Sequence, residues 1–170
     1  NNLSINTNQV FLADGLDLSL TGNLTNTGTY TNSSSNTRFI SSGAQSVTGA
    51  GIFNIFNLVQ EGTGTTALGV NLNLDNDLFV TGGVLDLGAN AVSLRNDAFI
   101  ESSVINSGGN GIVFNGTAGQ DLYGLSNNTV TVPTITIANS NGVDIPDGNG
   151  YNFDITRELR LAGGVLYIGN

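Results

Sequence analysis

Short runs of strictly alternating apolar residues recur along the whole chain: Leu16, Leu18 and Leu20; Val70, Leu72 and Leu74; Val130 and Val132; Ile135 and Ile137; Phe153 and Ile155; Leu159 and Leu161. A period of two puts every apolar side chain of a run on one face of a strand. Between the runs stand turn formers such as Thr21-Gly22-Asn23, Gly82-Gly83, Gly108-Gly109-Asn110-Gly111 and Asn139-Ser140-Asn141-Gly142, which accept positive φ at little cost. The chain therefore reads as short strands joined by tight turns. Helix is disfavoured from the outset, because there is no Lys, only 4 basic residues in all, and few of the residue types that hold exposed helices together.

The chain also resembles itself. Phe39-Ile40-Ser41-Ser42-Gly43-Ala44-Gln45 with Gly49 matches Phe114-Asn115-Gly116-Thr117-Ala118-Gly119-Gln120 with Gly124, at a constant offset of 75 residues (114 − 39, 120 − 45, 124 − 49). Val70 to Gly88 matches Tyr151 to Gly169 at an offset of 81 (151 − 70), so the second copy has gained residues between the two motifs. Asp144-Ile145-Pro146-Asp147-Gly148-Asn149-Gly150 reads as the inserted loop. Leu18 to Leu24 echoes Leu78 to Val84 as a partial third copy.

Repeated strands that cannot bury their apolar faces alone are best satisfied by coiling, each coil covering the next. The expected fold is all-β: a right-handed parallel β-helix occupying residues 1–170 as one solenoid segment, an interior piece of a longer repeat protein. At roughly 20 residues per coil it would hold about eight coils and extend about 40 Å. An antiparallel β-sandwich is the competing arrangement, since it also alternates and turns often.

Composition limits the chemistry. A hydrophobic fraction of 39% fills a core, while a net charge of −9 repels a phosphate backbone, so nucleic acid is not an expected partner. No apolar run approaches the length of a membrane span, and insertion into a membrane is not expected. Without His, Cys or Lys, the usual general bases, thiolate nucleophiles and Schiff-base lysines are missing, and an enzyme is not expected. Asp75 and Asp77, at i and i+2, read as a pair sharing one strand face, to be weighed against two-carboxylate glycosidase chemistry or a solvated strand end. Asp144, Asp147 and Asn149 offer oxygen ligands beside glycine and form a candidate calcium site, though without the spacing of an EF-hand. Threonines at 25, 27, 29 and 31, and the pairs Thr129/Thr131 and Thr134/Thr136, read as solvent-facing strand positions or as ice-binding ranks. Tyr30, Tyr123, Tyr151 and Tyr167 read as core caps or as sugar-stacking platforms.

The series Gly22-Asn23-Leu24-Thr25-Asn26-Thr27-Gly28-Thr29-Tyr30, then Phe39 to Gln45 with Gly49, Phe56-Asn57-Leu58, and Thr81-Gly82-Gly83-Val84-Leu85-Asp86-Leu87-Gly88 resembles a repeat of giant surface proteins of Bacteroidota. The resemblance implies a large secreted adhesin, exposed at the bacterial cell surface or released and often delivered by type IX secretion. It implies a structural or adhesive stalk segment with no catalytic residues. Its partners would be adjacent repeats of the same chain, surface glycans or the secretion machinery. A carbohydrate-binding or polysaccharide-degrading β-helix is the rival.

Overall fold

The computed structural model describes residues 1–170 except Asp14, Asn106, Ser107, Gly148 and Asn170. Every described element is a strand and every pairing is parallel. Coil one holds β1 (Leu3–Ile5), β2 (Val10–Leu12) and β3 (Leu18–Leu20). In coil two β4 (Leu24–Asn26) leads into the long β5 (Thr29–Phe39), which runs through a corner and serves two faces. Coil three does the same with β6 (Gln45–Thr48) and β7 (Ile52–Gln60). From there each coil has three separate strands. These are β8 (Thr65–Leu68), β9 (Leu72–Leu74) and β10 (Leu78–Val80), then β11 (Val84–Asp86), β12 (Ala91–Leu94) and β13 (Ala98–Ile100). Coil six has β14 (Ser103–Ile105), β15 (Gly111–Phe114) and β16 (Gln120–Tyr123), and coil seven β17 (Thr129–Thr131), β18 (Thr134–Ile137) and β19 (Val143–Ile145). Coil eight closes with β20 (Asn152–Asp154), β21 (Glu158–Leu161) and β22 (Leu166–Ile168).

The parallel β-solenoid is therefore the observed fold, and the antiparallel sandwich is excluded by the pairing. The first face stacks β1-β4-β6-β8-β11-β14, with β17 and β20 continuing as a separate pair. The second face stacks β9-β12-β15-β18-β21 and the third β10-β13-β16-β19-β22, both sharing β5 and β7. Strand residues in register on adjacent coils lie 19 to 24 residues apart.

Inward residues form continuous aliphatic columns. On the second face Leu72, Val92 and Ile112 stack in register with Ile135, and all are buried. On the third, Leu58, Leu78, Ala98 and Leu122 do the same. Where stacking stops, burial stops: Ile135 and Ile137 are 0% exposed, whereas Leu159 and Leu161, directly above them on the last coil, are 42% and 58% exposed.

The corners explain the sequence motifs. At Gly83, φ is +55° and a Cβ would stand 2.1 Å from the Gly64 carbonyl oxygen, so the coils close only over glycine there. Gln45 and Gln120, the matched glutamines of the long repeat, are 3% and 2% exposed and perform one task. The Oε1 of each accepts the backbone N–H four residues upstream, from Ser41 at 3.0 Å and Gly116 at 2.8 Å. The Nε2 of each donates to two carbonyls of the preceding coil, Leu20 and Gly22 for Gln45, Leu94 and Asn96 for Gln120. A buried side-chain amide thus pairs the backbone groups that the turn takes out of the ladder.

The two glutamines nevertheless lie on different faces, Gln45 on the first and Gln120 on the third. Likewise Leu72 of β9 on the second face corresponds to Phe153 of β20 on the first. With β7 counted for both faces it serves, each offset spans eleven faces, which is one short of four coils. The unit repeated in the sequence is a strand with its corner, not a coil. The inserted loop is shorter than the sequence suggests: Asp144 and Ile145 belong to β19, and the connection to β20 is 146–151, against 69–71 between β8 and β9.

Gln120→Leu keeps the bulk but leaves the Gly116 N–H and the carbonyls of Leu94 and Asn96 without it. The expected loss is about 3 kcal/mol in urea unfolding. An unchanged midpoint would mean that the glutamine clamp does not hold the corner.

Candidate functional surface

The outward side of the third face carries the densest polar and aromatic organisation among the described residues. One Asx residue in each of coils one to seven stands where the chain enters that face: Asp17, Asn36, Asn57, Asp77, Asp97, Asp121 and Asp144, with Tyr167 at that position on coil eight. From Asp17 to Asp97 a side-chain oxygen of each accepts from the coil above it. The Asn36 N–H donates to Asp17 Oδ1 at 3.0 Å and the Asn57 side-chain amide to Asn36 Oδ1 at 3.0 Å. The N–H groups of Asp77, Asp97 and Asp121 then donate to Asn57 (3.0 Å), Asp77 (2.9 Å) and Asp97 (2.8 Å). Asn76 and Asn96 supply further amide donors to Asn57 and Asp77. In Asp144 the buried Oδ1 has no partner among the described residues.

Two positions further along the strands lies a ladder of rings. Phe79 and Phe99 stack with centroids 4.7 Å apart, Phe99 and Tyr123 at 4.6 Å, and Tyr151 meets Tyr123 edge-on at 6.2 Å. Val59, only 7% exposed, is the register neighbour of Phe79. The ring faces are therefore covered by one another, and what the ladder turns to solvent is ring edge. A sugar stacks on an exposed face, and this ladder has spent its faces on itself.

Charge in the column is only partly relieved. Burial pushes the Asp97 carboxyl above its usual value; the Asp121 N–H opposes this, and the charges of Asp121 and Asp77 reinforce it. Tyr123 donates its hydroxyl to Asp121 Oδ2 at 2.7 Å, and this bond, with burial and the neighbouring carboxylates, raises the phenol to about 12. At the exposed start of the column, the Asn36 side chain and N–H, helped by Arg38, lower the Asp17 carboxyl. Arg38 bridges Asp17, at 3.4 Å, and Glu61.

The residues singled out from the sequence are dispersed. Asp75 and Asp77 lie in the turn between β9 and β10 rather than on one strand face. Asp75 pairs with Arg95 at 3.0 Å and Asp77 belongs to the column, so the two do not face each other across a bond. Asp144 is half-buried on β19, in register with Asp121 and Tyr167, while Asp147 and Asn149 are exposed in the following connection, whose Gly148 lies outside the described residues. No group of three or more His, Cys, Asp or Glu among the described residues is placed to share a metal ion. A shallow depression beside the column is lined by Asp121, Asn141, Asp144 and Tyr167.

The threonines form no continuous rank. Thr25 contacts Thr48 at 3.4 Å, but Thr134 and Thr136 are buried, the latter donating to the Asn110 carbonyl at 3.0 Å. Of the tyrosines, Tyr30 is fully buried with its hydroxyl 2.6 Å from that of Thr37, Tyr123 and Tyr151 belong to the ladder, and Tyr167 is 43% exposed. Sequence reasoning passed over Phe79, Phe99 and the Asx column. The signal was present as Asn76-Asp77-Leu78-Phe79, Asn96-Asp97-Ala98-Phe99 and Gln120-Asp121-Leu122-Tyr123, repeated at nearly one coil's spacing.

No protein-family model, curated protein or solved structure matches the chain. The fold defines it as a parallel β-solenoid of eight coils.

Two outcomes test this surface. Because folding raises the Asp97 pKa, its stabilising contribution is complete below the unfolded value of 3.8 and is lost as pH rises through the folded value. Asp97→Asn keeps an Oδ1 acceptor for Asp121 and removes the central charge. It should unfold at higher urea than the parent at pH about 7, with the difference closing below pH 3.8. Asp17 contributes with the opposite sign in both proteins and cancels in the comparison. A less stable variant at neutral pH would contradict the repulsion. Phe99→Leu ends two stacks at once and should cost about 1–3 kcal/mol by the same measurement; no loss would mean that the ladder is mere coincidence of register.

Proposed function

We propose that the chain is a rigid spacer: a structural or adhesive stalk segment of a large secreted bacterial cell-surface protein. The observation that carries this reading is the core, which runs as one cluster through the coils, so that bending requires breaking the ladders of the second and third faces at every coil and that of the first face everywhere but between β14 and β17. Eight coils at about 4.8 Å give a rod about 40 Å long. The outward groups on its most organised face are engaged with each other, rings with rings and carboxylates with backbone N–H groups. The net charge of −9 opposes nonspecific association along the sides. The bacterial surface, and export by the type IX route, enter through the resemblance of the repeat motifs. Neighbouring repeats of the same chain are the proposed partners at the coil ends, with glycans or secretion machinery beyond them.

The test is a glycan-binding and polysaccharide-degradation screen on the purified segment, with and without calcium. A blank screen is expected. Reproducible binding or cleavage would replace the spacer with a carbohydrate-active β-helix and direct attention to the depression at Asp121, Asp144 and Tyr167. Because Leu159, Leu161, Val165 and Ile168 are exposed on the last coil, the 170-residue chain on its own should also self-associate through that end. Sedimentation should show a mass that rises with concentration and falls back on Leu159→Ser/Leu161→Ser; a clean monomer at all concentrations would count against the docking of coil on coil.

A further inference from the structure

Four Asn-Gly pairs occur in the sequence, at 110, 115, 141 and 149. Such a pair can modify itself: the glycine nitrogen, unshielded by any Cβ, attacks the asparagine Cγ and displaces the side-chain amide. The reaction needs a free glycine N–H and a backbone that can bring the nitrogen over Cγ. The fold treats the four pairs differently.

At 115 the Gly116 N–H is buried and donates to Gln120 Oε1 at 2.8 Å, within the corner clamp. At 141 the Gly142 N–H donates to the Asn139 carbonyl at 3.0 Å and the Asn141 amide itself donates to Thr117 O at 2.7 Å. At 110 Gly111 opens β15 with its Cα against Thr134, where a Cβ would stand 2.2 Å from the carbonyl oxygen, and Arg160 donates to Asn110 Oδ1. At 149 the restraint is confined to the Gly150 carbonyl, which accepts the Asn127 N–H at 3.1 Å, and to the approach of the Asn127 side chain to Gly150 Cα; the two groups that must react are left alone. Asn149 and Gly150 are exposed and outside any strand, and neither the Asn149 side chain nor the Gly150 N–H bonds to a described residue. The pair belongs to a connection of six residues, 146–151, where three suffice between β8 and β9, and the coil below holds it at the Gly150 carbonyl rather than at the Gly150 nitrogen or the Asn149 side chain.

We propose that Asn149 is a self-modification site at which the folded protein undergoes deamidation, while the fold protects the other three pairs. The Gly150 nitrogen forms a bond to Asn149 Cγ, the Cγ–Nδ2 bond breaks, and ammonia leaves carrying the proton from the glycine nitrogen. Water then opens the cyclic imide at either carbonyl, giving aspartate or isoaspartate. The only co-reactant is water. Each event adds a negative charge near Asp147 in sequence, and the isoaspartate route also lengthens the backbone in a connection that lies outside the strands and is tied to the coil below by the Asn127–Gly150 backbone bond.

The experiment incubates the whole chain in heavy-oxygen water at neutral pH, folded and in urea, and maps the label by peptide mass spectrometry. In urea all four sites should take up label at comparable rates. In the folded chain Asn149 should keep that rate, while Asn110, Asn115 and Asn141 slow about tenfold or more, as breaking one restraining hydrogen bond first would require. The urea-unfolding midpoint of the labelled protein should match that of fresh protein. Slowing of Asn149 on folding to the same degree as Asn115, or labelling of Asn115 or Asn141 at the unfolded rate, would overturn the proposal.

Discussion

Parallel pairing of each coil with the next is the constraint on which everything else rests. It sets each residue about 4.8 Å above a residue one coil earlier, with the side chain pointing the same way. Chemistry in this molecule is therefore column chemistry, and a residue is stable according to what stands above and below it. Aliphatic on aliphatic yields the core, as in Leu72, Val92, Ile112 and Ile135. Ring on ring yields the Phe79, Phe99 and Tyr123 ladder. Carboxylate on carboxylate is the unfavourable case, and it is relieved at Asp77 and Asp97 by a backbone N–H of the next coil, with Asp97 showing what remains unrelieved.

Corners pose the complementary problem. A chain that leaves one sheet to join another takes backbone donors and acceptors out of the ladders, and the small residues needed there bring no side chain to compensate. Amides solve this, since one group both donates and accepts without charge. Gln45 and Gln120 do so across coils. Asn26 does it by accepting from Gly28 N–H while donating to Ile52 O, and Asn139 by accepting from Asn141 N–H while donating to Ala118 O. An Asn- and Gly-rich composition, which in isolation suggests loops, is here the chemistry of stacked turns.

This division also marks what could be read in advance. Alternation and the long self-match depend on neighbours in sequence, and they reveal strands and coiling. The strand-face pairing of Asp75 with Asp77 fails because period two does not say where a strand ends, and both residues fall in a corner. The Asx column and the rings were invisible for a different reason. Their members are one coil apart, coil length varies between 19 and 24 residues, and only the register shows that Asp97 stands under Asp121 and Phe99 under Tyr123. The candidate calcium ligands Asp144, Asp147 and Asn149 are near one another in sequence, but the end of β19 separates the first from the other two.

The mismatch between eleven faces and a three-sided coil has a geometric result. What the two long matches carry on their outer side returns not above the earlier copy but rotated by one side of the prism, about a third of a turn, whereas the short match of Leu18 with Leu78 stays in one column of the third face. Successive copies thus wind around the axis like a screw thread. A partner that recognised the repeat from one direction would meet it again only after three copies, whereas partners arriving from all directions would each find one.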